Sequence, residues 1–593
     1  MNLNTSNKKV QVIPYIEKQL ASLLRLVDLE VNGNPIVVDG LRLRKKPLKT
    51  YNLSVNKNLF CQDILAMRRF EPRIELLSLQ IKSILKLVEM FSSGNTITPT
   101  SFRLKKLSQW ATGYEHNKDP YFAVLKYLSW PCRTNCEFCL HKGDPPGYYT
   151  KSPYGWKTHE RELETRLKYW VPGESKALPA KSEYNYFEIL THPKFREIAQ
   201  SIRDKTNNTF YIVTSGSNLN NDMINYLASV EPVFLGISLN SNNKYTRQKI
   251  MRDRKPYIAI NSIPYLQQKN ISFFISLVAW DTIQIDDLIQ TIQWVDQFEP
   301  YFIRINLDAH TRFSPIRRDV KSSMSKWKEI ISVIKGYRKR VSTPILFQPA
   351  LVEEKFFMRK RNRVIIEGVI KNSPAWEAGL RSMDELISIN GIPTAFRPFA
   401  RQLLKALSLA NIKEFRLEFM RDGKIYNGTI QDTGYCYPYK SMNGPIFSPY
   451  GISVRGGLDV NHILQIEEIA RAHGAKNILF LTSCLVEPLF KELIKDAKLL
   501  GFENLKLFLE IPKNKSFLGG DIILGDLLVV DDFIHCISSW VERTSMRPDL
   551  VIIPSTPFTQ WGRDLTGKTY LEIERKTGIS TELLYCDRIE SIN

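Results

Sequence analysis

Cysteine is scarce in this chain of 593 residues, and the eight present do not form the dense framework of a disulfide-stapled domain. Five of them, Cys61, Cys436, Cys484, Cys536 and Cys586, stand singly, as thiols do in a reducing compartment where cysteine serves as a small apolar residue. Long apolar runs are missing too. The stretch from Asn477 to Phe490 is broken by Glu487 and Pro488, short of the roughly 20 residues a bilayer helix needs. The first residues, Met1-Asn2-Leu3-Asn4-Thr5-Ser6-Asn7-Lys8-Lys9, carry charge with no apolar segment behind it, so no secretory signal is expected and the cytoplasm is the expected location. Acidic residues are in deficit, 61 against 82 basic, for a formal charge of +21. That excess is spread along the chain, with local clusters at Arg42-Leu43-Arg44-Lys45-Lys46 and Arg359-Lys360-Arg361. It suits nucleic acid, acidic peptide or an anionic surface alike. No recognised nucleic-acid module accompanies it, so nucleic acid is not the favoured partner.

What is present is ample apolar material, 43% hydrophobic and 11% aromatic, in a chain long enough for about three or four domains. The remaining cysteines are close together. Cys132, Cys136 and Cys139 lie in Trp130-Pro131-Cys132-Arg133-Thr134-Asn135-Cys136-Glu137-Phe138-Cys139. Thiolates ordinarily hold a 4Fe-4S cube as a set of four, so three at this spacing imply a cube with one iron open. A Cys3His zinc site completed by His141 is the competing arrangement.

The triplet's C-x3-C-x2-C spacing, with the aromatic Phe138 before the third cysteine, resembles that of radical S-adenosylmethionine (radical SAM) enzymes. The resemblance implies two cofactors, a 4Fe-4S cluster and S-adenosyl-L-methionine, with the methionyl group chelating the open iron and an electron cleaving the sulfonium. It implies an electron donor such as flavodoxin or ferredoxin. It also implies a partial (βα) barrel across about 121 to 345. The pattern there agrees, with candidate strands at Tyr184–Ile189, Thr209–Thr214, Val233–Ser238, Ile271–Leu277 and Tyr301–Asn306 separated by segments of helical length. Active sites of such barrels gather at the C-terminal strand ends. Glu188 resembles the glutamate of the family's Gly-Gly-Glu motif, with Tyr186 and Phe187 in place of both glycines. Val213-Thr214-Ser215-Gly216-Ser217 resembles its Thr-Asn-Gly turn, and Ser238 its ribose-contacting polar residue. Phe138, Glu188, Thr214, Ser215 and Ser238 are therefore the expected SAM-positioning residues, and Cys132, Cys136 and Cys139 the cluster ligands.

Residues 1 to 120 read as partly helical, most clearly from Glu71 to Phe91. A separate pattern begins after a basic helical stretch ending near Lys339. The strand Val364–Val369, the capped turn Ser373-Pro374-Ala375-Trp376-Glu377-Ala378-Gly379-Leu380 and the strand Glu385–Ile389 running into Asn390-Gly391 resemble a PDZ domain, placed at 346–440. PDZ domains add an extended chain to a sheet edge, so a peptide or protein substrate is the expected partner of this module. The segment before its first strand lacks a glycine-rich carboxylate loop. Residues 441–593 read as a further α/β domain, with strands at Asn477–Leu481, Leu505–Leu509 and Leu550–Pro554. Its segment Asn514-Lys515-Ser516-Phe517-Leu518-Gly519-Gly520-Asp521-Ile522 resembles the C-terminal domain of uncharacterised bacterial radical SAM proteins that carry a PDZ module.

The expected architecture is α/β: a partial (βα) barrel of radical SAM type, a mainly β PDZ-like domain and a C-terminal α/β domain. The expected activity is reductive cleavage of SAM followed by hydrogen abstraction from a peptide or protein. A small metabolite or nucleic acid as substrate, or a zinc-stabilised PDZ scaffold without catalysis, are the alternatives.

Overall fold

The computed structural model of the chain describes residues 36–38, 41–43, 132–143, 188–204, 207, 209–279, 285–350, 364–394, six helical positions between 397 and 407, 412–431, 447–455, 461–491, 494, 506–558 and 564–584. The expected helix Glu71–Phe91, the run Arg359-Lys360-Arg361, Tyr186, Phe187, Cys61, Cys436 and Cys586 lie outside them, as does most of 1–120 apart from a short hairpin of Ile36–Val38 with Leu41–Leu43. No helix among the described residues is long and apolar enough to cross a membrane.

Five parallel strands in sequential order form the first sheet: β1 Phe210–Thr214, β2 Val233–Ser238, β3 Ser272–Val278, β4 Ile303–Asn306 and β5 Ile345–Gln348. Their near-continuous apolar sequences suit strands buried on both faces. Six helices accompany them: α1 Phe195–Arg203, α2 Asn221–Ser229, α3 Lys244–Met251, α4 Pro256–Gln268, α5 Ile285–Asp296 and α6 Val320–Lys335. Side-chain oxygens start three of them. Asn220 accepts from Met223 N–H, Asn243 from Tyr245 and Thr246, and Asp319 from Ser322, each satisfying donors that a helix start leaves open.

All six helices pack on one face of the sheet. Phe195, Ile224, Met251, Leu266, Ile292 and Trp327, one from each helix, share a single apolar cluster with Ile212, Leu235, Ile275, Ile305 and Phe347. Among the described residues the sheet thus carries its helices on one face, whereas a doubly wound sheet divides them between two.

Alternation along each strand sends the other set of side chains to the opposite face. Its N-terminal half is aromatic: Tyr211, Phe234, Phe274 and Phe302 cluster with Leu346. Phe274 stacks on Phe302 at 4.5 Å between ring centroids. Gly236 is required here, because a Cβ at that position would lie 2.4 Å from the Phe274 ring. The C-terminal half of the same face is polar, carrying Ser238, Ser276, Arg304, Asn306 and Gln348.

The second unit is a mainly antiparallel sheet. β6 Val364–Ile365 pairs with β8 Glu385–Ile389, which also pairs with β9 Ile392–Pro393 and β10 Glu414–Arg421; β10 pairs in turn with β11 Lys424–Gln431. Asn390-Gly391 and Asp422-Gly423 all have positive φ, the conformation that tight two-residue hairpin turns demand. Between β6 and β8 lie β7 Gly368–Val369 and the short helix α7 Pro374–Glu377, capped by Ser373. β7 pairs with β12 Ile452–Ser453.

Two expected boundaries move. β5 lies across the one placed at 345, and residues 447–455, expected in the C-terminal domain, join the second unit. Tyr450, Ile452 and Val454 pack in its core with Val364, Leu386 and Leu417. The second unit sits at the N-terminal end of the first sheet. Its Ile370 and Phe447 complete the aromatic cluster there, and Gly368 abuts Pro344 so closely that a Cβ would lie 2.5 Å from the ring. Glu367 is the polar anchor of this contact. It pairs with Arg455 of its own unit and lies 3.5 Å from Arg338 of the first.

The third unit is doubly wound. Its parallel sheet has the order β14-β13-β15-β16, with β13 Asn477–Leu481, β14 Lys506–Glu510, β15 Leu550–Pro554 and β16 Thr581–Leu584. Helix α8 Asn461–His473 covers one face, while α9 Val530–Thr544 and α10 Leu571–Thr577 cover the other.

Candidate functional site

The cysteine loop is fastened by its backbone to the C-terminal end of α3, the helix that follows β2. Asn135 N–H donates to Met251 O at 2.9 Å and Glu137 N–H to Ile250 O at 2.8 Å. Arg252 pairs with Glu137 at 2.6 Å, and Arg133 donates to Asn218 at 3.0 Å. Phe138 and Cys136 pack on the edge of the first unit's core. Phe138 is thus an anchor of the loop in this arrangement.

Thr134 lies between two of the thiols, 3.0 Å from Cys132 Sγ and 3.5 Å from Cys136 Sγ. Burial pushes the Cys136 thiol up to about 11, helped by its neighbours Cys139 and Cys132 and opposed by Thr134 and Arg247. Cys132 is exposed at its surface, yet partial burial of its sulfur raises it as well, opposed by Thr134, and the charge of Glu188 adds to the rise. Among the described residues no three His, Cys, Asp or Glu side chains close on a single point as one metal ion requires. His141 lies in the turn Leu140–Gly143, with its side chain outside the described set.

Glu188 is not in a strand, contrary to the expectation for Tyr184–Ile189. It precedes a short 3-10 turn, Ile189–Thr191, and caps nothing with its side chain. Its carboxylate is instead drawn under the end of β1, where it accepts three hydrogen bonds of 2.6 Å, from Thr214 Oγ1, Ser215 N–H and Ser215 Oγ. That competition for the carboxylate is a physical reason for the local geometry. Burial raises the Glu188 carboxyl, and the same Ser215 and Thr214 donors pull it back. Gly216 follows with φ of +80°, and a Cβ there would meet Ala259 at 2.9 Å.

Cys132, Cys136, Glu188, Thr214 and Ser215 therefore form one neighbourhood, and Ser215 is within interaction range of the Cys132 thiol. Ser238 stands apart from it by its side chain, on the next strand end in register with Ser276 of β3. It joins the site through its carbonyl. The residue that makes this connection, Arg247, carries no motif.

Arg247 is fully buried on α3. Its guanidinium donates to Ser215 O at 2.6 Å, Ser238 O at 2.9 Å, Leu239 O at 2.5 Å and Asp253 Oδ2 at 3.0 Å. Burial lowers its pKa from the usual arginine range, and Asp253 counters first, with smaller contributions from Cys136 and Glu188. In sequence this arginine sits among polar residues on a weakly apolar helix and reads as a solvated charge. The one available signal is Asp253, six residues later. Asn240, with φ of +61°, is a second unmarked contributor. Its Oδ1 accepts from Val278 N–H at 2.8 Å, tying β2 to β3.

The short strand β12 has two edges, and only one of them faces β7. Gly451 O and Ser453 O face β7, accepting from Ile370 and Glu367 N–H. Alternate residues turn to the other edge, and these are held by the chain itself. Ile452 O accepts from Ser448 N–H at 2.7 Å, Ile452 N–H donates to Ser448 Oγ at 3.2 Å, and Val454 O accepts from Arg401 at 3.0 Å. The loop that shapes this edge, Phe447 to Gly451, comes after the rest of the unit in sequence. The segment before Val364 is where a carboxylate loop is expected in sequence, and this loop lies at the opposite end of the unit.

The family model of the PDZ domain matches residues 365–420, so this second unit contains a PDZ domain. No curated protein matches the chain. Solved structures similar to part of it include SuiB of Streptococcus suis bound to precursor peptide SuiA, at 12% identity and a TM-score of 0.28, covering 48% of this chain and 68% of that one. SuiB bound to S-adenosylmethionine matches at 13% identity and a TM-score of 0.27, covering 49% and 66%.

Proposed function

We propose that the chain is a radical SAM enzyme acting on a peptide or protein, with its first unit a partial (βα) barrel. The observation that carries this reading is the docking of the cysteine loop at the strand ends, which sets Cys132 beside the Glu188–Ser215 network. The donor set suits a 4Fe-4S cluster: three thiols on one loop, two of them bracketing Thr134, available to take a separate iron each. When bound, the cluster supplies the electron that cleaves the sulfonium of SAM, drawn from a donor such as flavodoxin or ferredoxin.

The protein's own part is to bind and orient. Glu188 is the group for the methionyl ammonium. Thr214 and Ser215 donate to its carboxylate and hold it in orientation. Ser238, and beyond it Ser276 and Asn306, offer hydrogen bonds along the polar half of the sheet face. Asn306 donates to Ser276 Oγ at 2.9 Å, which fixes the orientation of both. The PDZ domain is the feature that favours an extended chain as substrate. Strand addition at β12 requires Ser448 and Arg401 to release its edge.

Anaerobic reconstitution with iron and sulfide, followed by SAM and dithionite, tests the chemistry. Formation of 5′-deoxyadenosine is expected, with total loss in Cys136→Ala and little change in Cys484→Ala. A protein that holds one zinc, stays colourless and releases no deoxyadenosine overturns the reading. For the substrate, a peptide encoded beside the gene should raise deoxyadenosine formation and change in mass or stereochemistry; no effect on either overturns the peptide assignment.

A further inference from the structure

The rim of a doubly wound sheet, at the C-terminal ends of its strands, is where such domains ordinarily take ligands. In the third unit the loops after β13 and β14 are turned instead onto the first unit. Leu485, Leu489 and Ile523 lie in the first unit's apolar core. Between them the turn Gly519-Gly520-Asp521, legible in the sequence but without an assigned role, reaches the segment after β4.

Both glycines of that turn have positive φ, +63° and +71°. Gly520 lies against His310 so closely that a Cβ would stand 2.0 Å from its carbonyl oxygen. Asp521 and His310 are both buried. Asp521 Oδ1 accepts from His310 N–H at 2.5 Å, and Oδ2 lies 3.2 Å from His310 Nδ1 and accepts from Ser323 Oγ at 2.6 Å. Asp521 N–H returns a bond to His310 O at 3.0 Å, and Arg312 N–H donates to Leu518 O at 2.8 Å. The held segment is itself the backing of the cysteine loop. Thr311 Oγ1 donates to Gly143 O, and a Cβ on Gly143 would collide with Ser314 and Thr311. Gly143 lies four residues beyond Cys139.

We propose that Asp521 is a positioning residue: by clasping His310 it fixes Thr311 and Ser314 against Gly143, so that the third unit holds the cysteine loop in place. The functional meaning of this clasp rests on the radical SAM reading, but its geometry does not.

The test uses the full chain without iron. Cys132, Cys136 and Cys139 are labelled with iodoacetamide and followed by peptide mass, with hydrogen exchange measured on the same samples. In Asp521→Ala, loss of a charge-assisted clasp should raise labelling of the triplet about tenfold or more. Exchange in β1 and β15 should stay as in the native chain. Asp521→Asn keeps an acceptor for His310 N–H and should restore most of the protection. Gly520→Ala should reproduce the loosened state with the carboxylate intact. The inference is overturned by unchanged labelling in Asp521→Ala, by Asp521→Asn behaving like alanine, or by equal acceleration of exchange in β1 and β15, which marks general loosening. A native chain that forms no deoxyadenosine yet gives the expected labelling loses the radical SAM reading and keeps the clasp.

Discussion

Replacing Arg247 by alanine should damage the candidate site more than any surface change, and the amount follows from what the guanidinium leaves behind. Asp253 is 4% exposed and Arg247 0%, so the substitution strands a buried carboxylate, at a cost of about 3–5 kcal/mol. The carbonyls of Ser215, Ser238 and Leu239 lose a donor as well, but these losses overlap and are not added. Since each 1.4 kcal/mol is tenfold, about 4 kcal/mol corresponds to roughly 10³-fold faster exchange of amides exposed by local opening. Hydrogen exchange resolved to β1 and β2 is the appropriate assay, because a chain of several units has no single two-state midpoint. Arg247→Lys keeps a cation for Asp253 but cannot span three carbonyls, so it should lie between, near 2 kcal/mol. Adding Asp253→Asn to Arg247→Ala should recover part of the loss by removing the stranded charge. Exchange in β1 and β2 rising less than about tenfold in Arg247→Ala would refute the reasoning, as would an absence of relief in the double variant.

Two further outcomes are expected. Burial raises Glu367, but Arg455, then Arg338 and Arg397, overcome it and bring the carboxyl from 4.5 down to about 2. A folded value below the unfolded one stabilises above pH 4.5, and that contribution, about 3 kcal/mol, is lost as pH falls from 4.5 towards 2. Acid unfolding followed by circular dichroism should be shallower over that window in Glu367→Gln; an unchanged slope counts against the assignment. Gly236→Ala places a Cβ 2.4 Å from the Phe274 ring and should cost about 1–3 kcal/mol in denaturant unfolding, with Phe274→Leu restoring much of it; equal stability of the single variant and the native chain refutes the close contact.

The elements with strong local patterns were legible in the sequence. β2, β8, β13 and β15 match their expected residues, and β1, β3, β4 and β14 differ by a residue or two at their ends. Continuous runs of apolar residues suffice for a strand buried on both faces. β5 was missed because Pro344 and Pro349 bracket four residues, and prolines so placed read as breakers. The cysteine triplet announced itself because its chemistry fixes both residue type and spacing. Arg247 did not, since burial of an arginine is decided by partners that come from β1, β2 and the turn after α3, and sequence proximity records only one of them. The fate of Glu188 was likewise settled by Thr214 and Ser215, which lie more than twenty residues away.

The aromatic cluster of the first sheet is sealed at its N-terminal end by Ile370 and Phe447, and this has a kinetic consequence. Under the proposed function, ligands of the polar half arrive from the C-terminal strand ends, so whatever settles deeper enters before whatever settles above it and leaves afterwards. Traffic is then a stack rather than a corridor. Its steady-state signature is a compulsory order of addition, with inhibition by the outer ligand when that ligand arrives first.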